Sequence, residues 1–185
     1  MINKFKYCPN CKANIKAYNR PALAAGRLID CASCGFYFYL SPSPTNGLIL
    51  ENEKGEVLLV KRKYPPKKGY WDIPGGFVDF GETMEESLRR EIKEELGTDI
   101  TDIKYFTSTA DRYLFKGIDY HTLCFVFLGK VVGKKNLSAN DDINEIKFFS
   151  KNNIPVDKLA FSGLKEVFKK YLSSFQQSNR PPKTK

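Results

Sequence analysis

Thr83 to Gly97 spells out one helix, then places charge where such a helix cannot leave it. Thr83 and Glu86 form a T-x-x-E capping box, "MEESLRREIKEEL" holds mostly good helix formers, and Gly97 stands where a left-handed residue closes the last turn. The pattern predicts a helix over residues 84–96. At about 100° per residue, Met84, Leu88, Ile92 and Leu96 make an apolar stripe about 120° wide. Glu95 projects inside that stripe, and Glu91 only about 20° outside it. A solvated acidic face would lie opposite. Carboxylates on the core side need a counter-charge, because an unpaired one is costly to bury or shifts its pKa.

The chain has 185 residues and a net charge of +9, yet residues 75–97 carry seven acids against three bases. An acidic island in a basic chain suggests a bound cation serving an anionic substrate. Elsewhere the positive excess is spread over residues 61–68, 130–135 and the far C-terminus, which suits phosphorylated small molecules and nucleic acid equally. Apolar residues make up 42% and aromatics 14%, which argues for a folded globular protein rather than a chain disordered throughout, with room for one ordinary domain and a small appendage. The first residues have no apolar leader-like run, and no apolar stretch approaches the ~20 residues of a membrane span. The expectation is a soluble, cytoplasmic protein with no membrane partner.

Four segments follow. Residues 1–40 hold two cysteine pairs, residues 41–46 read as a Pro-broken linker, residues 47–174 alternate strand-like and helix-like patterns, and residues 175–185 read as a disordered basic tail. Cys8-Pro-Asn-Cys11 and Cys31-Ala-Ser-Cys34 form CxxC-x19-CxxC, the pattern of one tetrahedral Zn²⁺ held by four thiolates. Such a site leaves no open coordination position, so its expected role is structural: ~40 residues cannot bury enough core unaided. "GLILENEKGEVLLVKRK" reads as a hairpin turning at residues 53–55. Further β-like runs lie at 103–107, 112–115, 121–132 and 146–149, and Leu164, Val167, Phe168, Tyr171 and Leu172 recur at helical spacing. Strands mixed with two substantial helices give an α/β or α+β sandwich.

Gly76, Glu82, Arg90, Glu91, Ile92, Glu94, Glu95 and Gly97 stand at the spacing G-x5-E-x7-R-E-U-x-E-E-x-G-U, where U is bulky and apolar and Thr98 fills the last U half-way. This resembles the Nudix box. Seven fixed identities at fixed spacing have a chance near ~10⁻⁸ per starting position at ordinary residue frequencies, so the resemblance is specific. "GYWDIPGGFVDFGE" is similar to the W-x-x-P-G-G-x-x-x-x-G-E entrance of many Nudix domains. Covering residues 45–173, the resemblance implies an α/β fold, a Nudix αβα sandwich preceded here by a small zinc ribbon. It also implies hydrolysis of a nucleoside diphosphate linked to another moiety.

By that resemblance Glu95 is the leading metal ligand, Glu94 a second, and Glu91 a ligand or a base acting on water. The Gly76 carbonyl joins the coordination, Glu82 supports the site and Arg90 orients carboxylates. Glutamates at i, i+3 and i+4 converge near one helix edge, an oxygen-rich arrangement that suits Mg²⁺ or Mn²⁺. Such metals neutralise diphosphate oxygens and lower the pKa of a bound water for in-line attack. "NEIKFF" resembles the family's E-x-x-W-F segment and makes Glu145 the candidate for a further carboxylate at substrate and metal; a solvated turn acid is the other reading. Phe77 matches an aromatic on which a base or nicotinamide stacks, with loop packing as the alternative. His121 reads as a structural histidine, Cys124 as a buried thiol, and Arg62 and Lys63 as a solvated basic rim.

A zinc ribbon followed by a Nudix domain resembles the NADH pyrophosphatase-like branch, and "CASCGFYFYLSP" is similar to its C-x-x-C-G-x-x-x-Y-x-x-P join. The S-Q-P-W-P-F-P array that marks NADH pyrophosphatases is absent. The implied substrate is therefore broader: NADH, ADP-ribose or a FAD-like dinucleotide, cleaved to release AMP. The competing reading is a nucleotide- or RNA-binding regulator with a Nudix sensor domain. The intact box favours catalysis, because a sensor is free to lose Glu91, Glu94 or Glu95. Removal of a dinucleotide cap from RNA uses the same chemistry and stays open, as does a homodimer.

Overall fold

Cys8 and Cys31 each begin the same backbone turn in the computed structural model, which describes residues 5–14, 28–132 and 137–178. The Cys8 carbonyl accepts the Lys12 N–H at 2.9 Å and the Cys31 carbonyl accepts the Gly35 N–H at 2.8 Å; each cysteine N–H then donates to the carbonyl five residues on, at 2.8 Å. Lys12 (φ 62°) and Gly35 (φ 72°) take the left-handed conformation that such a turn requires. Strand β1 (Leu28–Asp30) leads into the second turn, and β2 (Tyr37–Tyr39) returns antiparallel, with Ile29 opposite Phe38. Residues 1–42 form one compact unit together with residues 112–121, where Arg112 pairs with Asp119 and the Tyr113 ring meets the Tyr120 ring edge-on at 6.4 Å. The sequence division at residue 40 had no sign of this second segment.

The other unit comprises residues 43–111 and 122–185. Strand β3 (Ser43–Leu50) begins inside the segment expected to be a linker, so residues 43–46 are sheet. It runs parallel to β7 (Ile118–Val131), with Leu48 opposite Phe127, and β7 neighbours β6 (Ile100–Phe115), which joins two β-like runs into one strand. Strand β4 (Val57–Arg62) lies antiparallel between β5 (Trp71–Asp72) and β8 (Ile143–Phe149). The expected hairpin of β3 and β4 is therefore not formed. Its turn exists, with the Asn52 side chain accepting the Lys54 and Glu56 N–H groups, but beyond the Glu51–Val57 bridge the strands enter different sheets.

Burial explains that outcome. Leu48 to Leu50 and Val57 to Leu59 are all buried, with no exposed alternate residue, the mark of a strand covered on both faces. Leu48, Leu50, Leu58, Val60 and Phe127 pack with Leu88, Ile92 and Leu96 of helix α1 (Met84–Leu96). Their alternates Ile49, Val57, Leu59 and Val126 pack with Leu164, Val167, Phe168 and Tyr171 of helix α2 (Ser162–Ser178). The period of two thus sorts the strands between two helix-covered cores. Helix α2 passes position 175, where the tail was expected to begin; residues 179–185 lie outside the described residues. Among the described residues no helix is long and apolar enough to cross a membrane.

Candidate active site

Helix α1 has the bounds the sequence predicts. Thr83 Oγ1 accepts the Glu86 N–H at 3.2 Å, the Glu86 carboxylate accepts the Thr83 N–H at 2.8 Å, and Gly97 closes the helix at φ 68°. The preceding loop lies along β3 like an added strand: Leu48 N–H donates to Pro74, Asn46 N–H to Gly76, and Val78 N–H to Pro44. This close approach is what the glycine pair permits. A β-carbon on Gly75 (φ 137°) would lie 2.5 Å from the Asn46 carbonyl oxygen, and one on Gly76 would lie 2.4 Å from a Glu91 carboxylate oxygen. Buried Asn46 fixes the loop to α1, its amide donating to Ser87 Oγ at 2.9 Å and accepting the Gly76 N–H at 3.3 Å. Ser87 Oγ in turn donates to the Phe77 carbonyl.

Glu95 is only 4% exposed, the buried carboxylate that the helix geometry predicts. Its Oε2 accepts the Gly75 N–H at 2.9 Å. Burial drives its pKa up to about 10, with Gly75 opposing and the carboxylates of Asp142 and Glu91 adding to the rise. Glu91 is raised too, mainly by burial, with Arg90 opposing.

Arg90 spends its donors on the surrounding acids. Nε and Nη2 hold Glu82 at 2.7 and 2.9 Å, Nη1 reaches Glu91 at 2.8 Å and Glu94 at 3.2 Å, and Nη2 also reaches the Phe77 carbonyl at 3.1 Å. The forked contact with Arg90, helped by the Asp79 N–H, holds Glu82 down at about 2. Gly76, Glu82, Arg90, Glu91, Glu94 and Glu95 are thus brought together on one loop and one helix.

Glu145 has a different partner. The register of β4 and β8 sets it opposite Lys61, whose ammonium donates to it at 2.8 Å. The acid at Glu95 is Asp142, which the sequence analysis passed over. Residues 138–142 cover the C-terminus of α1, with Asn140 N–H donating to the Glu95 carbonyl at 3.0 Å and Asp141 at φ 52°. Phe77 is 43% exposed beside the site, and Phe80, also unremarked in the sequence, is fully exposed. Arg62 is no solvated rim: it pairs with Asp72 at 3.1 Å, both largely buried, and burial lifts Asp72 to about 6 against that pairing. Burial likewise pushes the Cys124 thiol up to about 12.

Among the described residues one donor set converges as a metal site. The Sγ atoms of Cys8, Cys11, Cys31 and Cys34 all lie within 4.8 Å of one another, as a closed thiolate site requires. The Asn10 amide and the Phe36 N–H hold Cys34 down at about 6, near the thiolate form. Glu91, Glu94 and Asp142 form an acidic cluster around the buried Glu95 carboxylate.

A model of the family described as NUDIX domain matches residues 42–171. The chain is 41% identical over 140 residues to the ADP-ribose pyrophosphatase of Methanocaldococcus jannaschii, covering 74% of this chain and 77% of that protein. It is 27% identical over 151 residues to the NAD-capped RNA hydrolase NudC of Pseudomonas aeruginosa, covering 81% of this chain and 49% of the relative, so it spans about half of that protein's length. Among solved structures, a NUDIX hydrolase from Nitrosomonas europaea superposes with a TM-score of 0.71 at 24% identity, over 95% of this chain and 94% of the other. The NUDIX domain of Shewanella oneidensis NrtR, solved with ADP ribose, superposes with a TM-score of 0.59 at 18% identity, over 73% and 89%.

Proposed function

Since the chain belongs to the NUDIX family, we propose that it hydrolyses the pyrophosphate bond of a nucleoside diphosphate linked to another moiety, releasing AMP from ADP-ribose, NADH or FAD-like dinucleotides. The observation that carries this reading is Glu95, a carboxylate held in the core against the Gly75 N–H beside the acids that Arg90 gathers. Burial on that scale is a liability for folding and an asset for holding a cation. The relatives named above act, by their names, on ADP-ribose and on NAD-capped RNA, which share a nucleoside diphosphate.

Glu91, Glu94 and Glu95 would hold Mg²⁺ or Mn²⁺, with Asp142 in the place first assigned to Glu145. A cation held there would supply charge to neutralise diphosphate oxygens and to acidify a bound water. Arg90 orients Glu91 and Glu94, and Glu82 anchors Arg90 through its two-point contact. Glu91, with a pKa raised by burial, is suited to take a proton from the attacking water. Exposed Phe77 offers a face to the base. The four cysteines would hold structural Zn²⁺.

The test is a screen of ADP-ribose, NADH, NAD, FAD, diadenosine polyphosphates, nucleoside triphosphates and NAD-capped RNA with Mg²⁺ or Mn²⁺, products being identified by chromatography. AMP from several dinucleotides is expected. Cleavage of triphosphates alone would overturn the substrate class, and nucleotide binding without cleavage would make the chain a sensor.

A further inference from the structure

The loop between β4 and β5, residues 63–70, carries Lys63, Lys67 and Lys68 and no acid. It is built rather than loose. The Arg62 N–H donates to the Tyr70 carbonyl at 3.0 Å and the Gly69 N–H to the Arg62 carbonyl at 2.8 Å, while Arg62 Nε donates to the Pro66 carbonyl at 2.9 Å. The largely buried pair of Arg62 and Asp72 is its foot. Its near end lies against the candidate active site: the Lys63 N–H donates to the Asp142 carbonyl at 2.8 Å, and Lys63 Nζ to the Asp141 carbonyl at 3.3 Å. Lys63 thus stands beside the residue whose carboxylate meets Glu95.

The neighbouring cations are already engaged, Lys61 with Glu145, Arg62 with Asp72, and Arg90 with Glu82, Glu91 and Glu94. The three loop lysines are not. All are exposed, and among the described residues no carboxylate pairs with any of them. Two rest on rings instead: Lys63 Nζ lies 5.2 Å from the centre of the Tyr64 ring, and Lys67 Nζ 5.4 Å from that of Tyr70. A ring steadies an ammonium without neutralising it, so the charge stays available to an anion. In the proposed reaction the metal site answers the scissile diphosphate. Further positive charge, beginning at the residue next to Asp142, suits phosphates joined directly to that pair.

We propose that the β4–β5 loop is a specificity element in which Lys63 and Lys67 hold phosphates adjoining the scissile diphosphate, so that dinucleoside polyphosphates with a bridge longer than two phosphates are preferred substrates. ADP-ribose, with no phosphate beyond the pair, gains nothing from the loop. The inference rests on the pyrophosphatase reading and narrows its substrate class.

Diadenosine tetraphosphate and diadenosine diphosphate differ only in the bridge, so the ratio of their kcat/KM values with Mg²⁺, measured on the full chain with ADP-ribose alongside, tests it. The tetraphosphate is expected to be favoured by about tenfold, through KM, with the preference shrinking as salt rises. Lys63→Gln and Lys67→Gln each lower that preference by about threefold, and Lys67→Arg keeps it, because the loop needs the charge. A merely structural effect of the glutamine variants would shift the urea midpoint and slow both diadenosine substrates alike, leaving the ratio and its salt dependence where they were. Equal kcat/KM for the two bridges, or glutamine variants with the parent's ratio, would overturn the proposal while the hydrolase reading stands. Failure of the parent to cleave any of the three substrates would overturn both.

Discussion

Glu95 asks opposite things of the protein with and without metal. Its pKa rises from an ordinary 4.5 to about 10, so the metal-free folded state keeps a proton that the unfolded chain releases. Stability from this group is complete below pH 4.5 and is lost as pH climbs towards 10. In chelator-treated protein at pH 7 the loss has a ceiling of roughly 3 kcal/mol. Glu95→Gln removes that slope: urea unfolding shows the variant more stable than the parent, by a margin that widens from pH 5 to pH 8. The same change lowers Mg²⁺-dependent turnover by at least about a hundredfold, since a neutral amide cannot replace a charged ligand. A variant that hydrolyses ADP-ribose normally would remove Glu95 from the chemistry. Asp142 and Glu145 separate just as cleanly. Asp142→Asn is expected to weaken the Mg²⁺ requirement curve by about tenfold or more, whereas Glu145→Gln, which breaks a half-buried contact with Lys61, leaves it within about twofold. The reverse order in a metal titration would return the role to Glu145.

Helix α1, its loop and β3 act as one element because Asn46 joins all three. Asn46→Ala takes the side-chain acceptor from the Gly76 N–H and one donor from the Ser87 hydroxyl, which keeps its bond to the Phe77 carbonyl, a loss of about 1–3 kcal/mol by chemical denaturation, with turnover falling as the loop drifts from Glu91. Unchanged stability would mean that water replaces the amide. How legible each element was follows from how local its causes are. The caps and apolar stripe of α1 lie within fifteen residues, and they fixed its bounds and even the burial of Glu95. The β3–β4 hairpin was misread because its turn is local whereas the choice of β7 over β4 as partner depends on burial of both faces, about eighty residues away. Asp142 was invisible for the same reason. Backbone contacts of Asn140 with the last turn of α1 and of Asp142 with Lys63 bring it to Glu95, and no spacing within the box encodes them. Asn46 and Ser87 carried no motif, yet a polar residue beside the apolar run 48–50 was a usable signal of a buried hydrogen bond.

At the scale of the molecule, the proposed function assigns the two units different metals. Elemental analysis should give one zinc per chain, resistant to mild chelation. Cys31→Ser abolishes it and disorders β1 and β2, while Mg²⁺-dependent hydrolysis stays within a few-fold of the parent. Loss of turnover in step with zinc would instead tie the cysteines to the chemistry. The composition of the ribbon unit has a further consequence, for inheritance. Because it is assembled from residues 1–42 and 112–121, a recombination breakpoint at codon 42 divides the unit instead of releasing it. Gene shuffling at that point passes on the cysteine turns without the stretch from Arg112 to His121 that completes their unit.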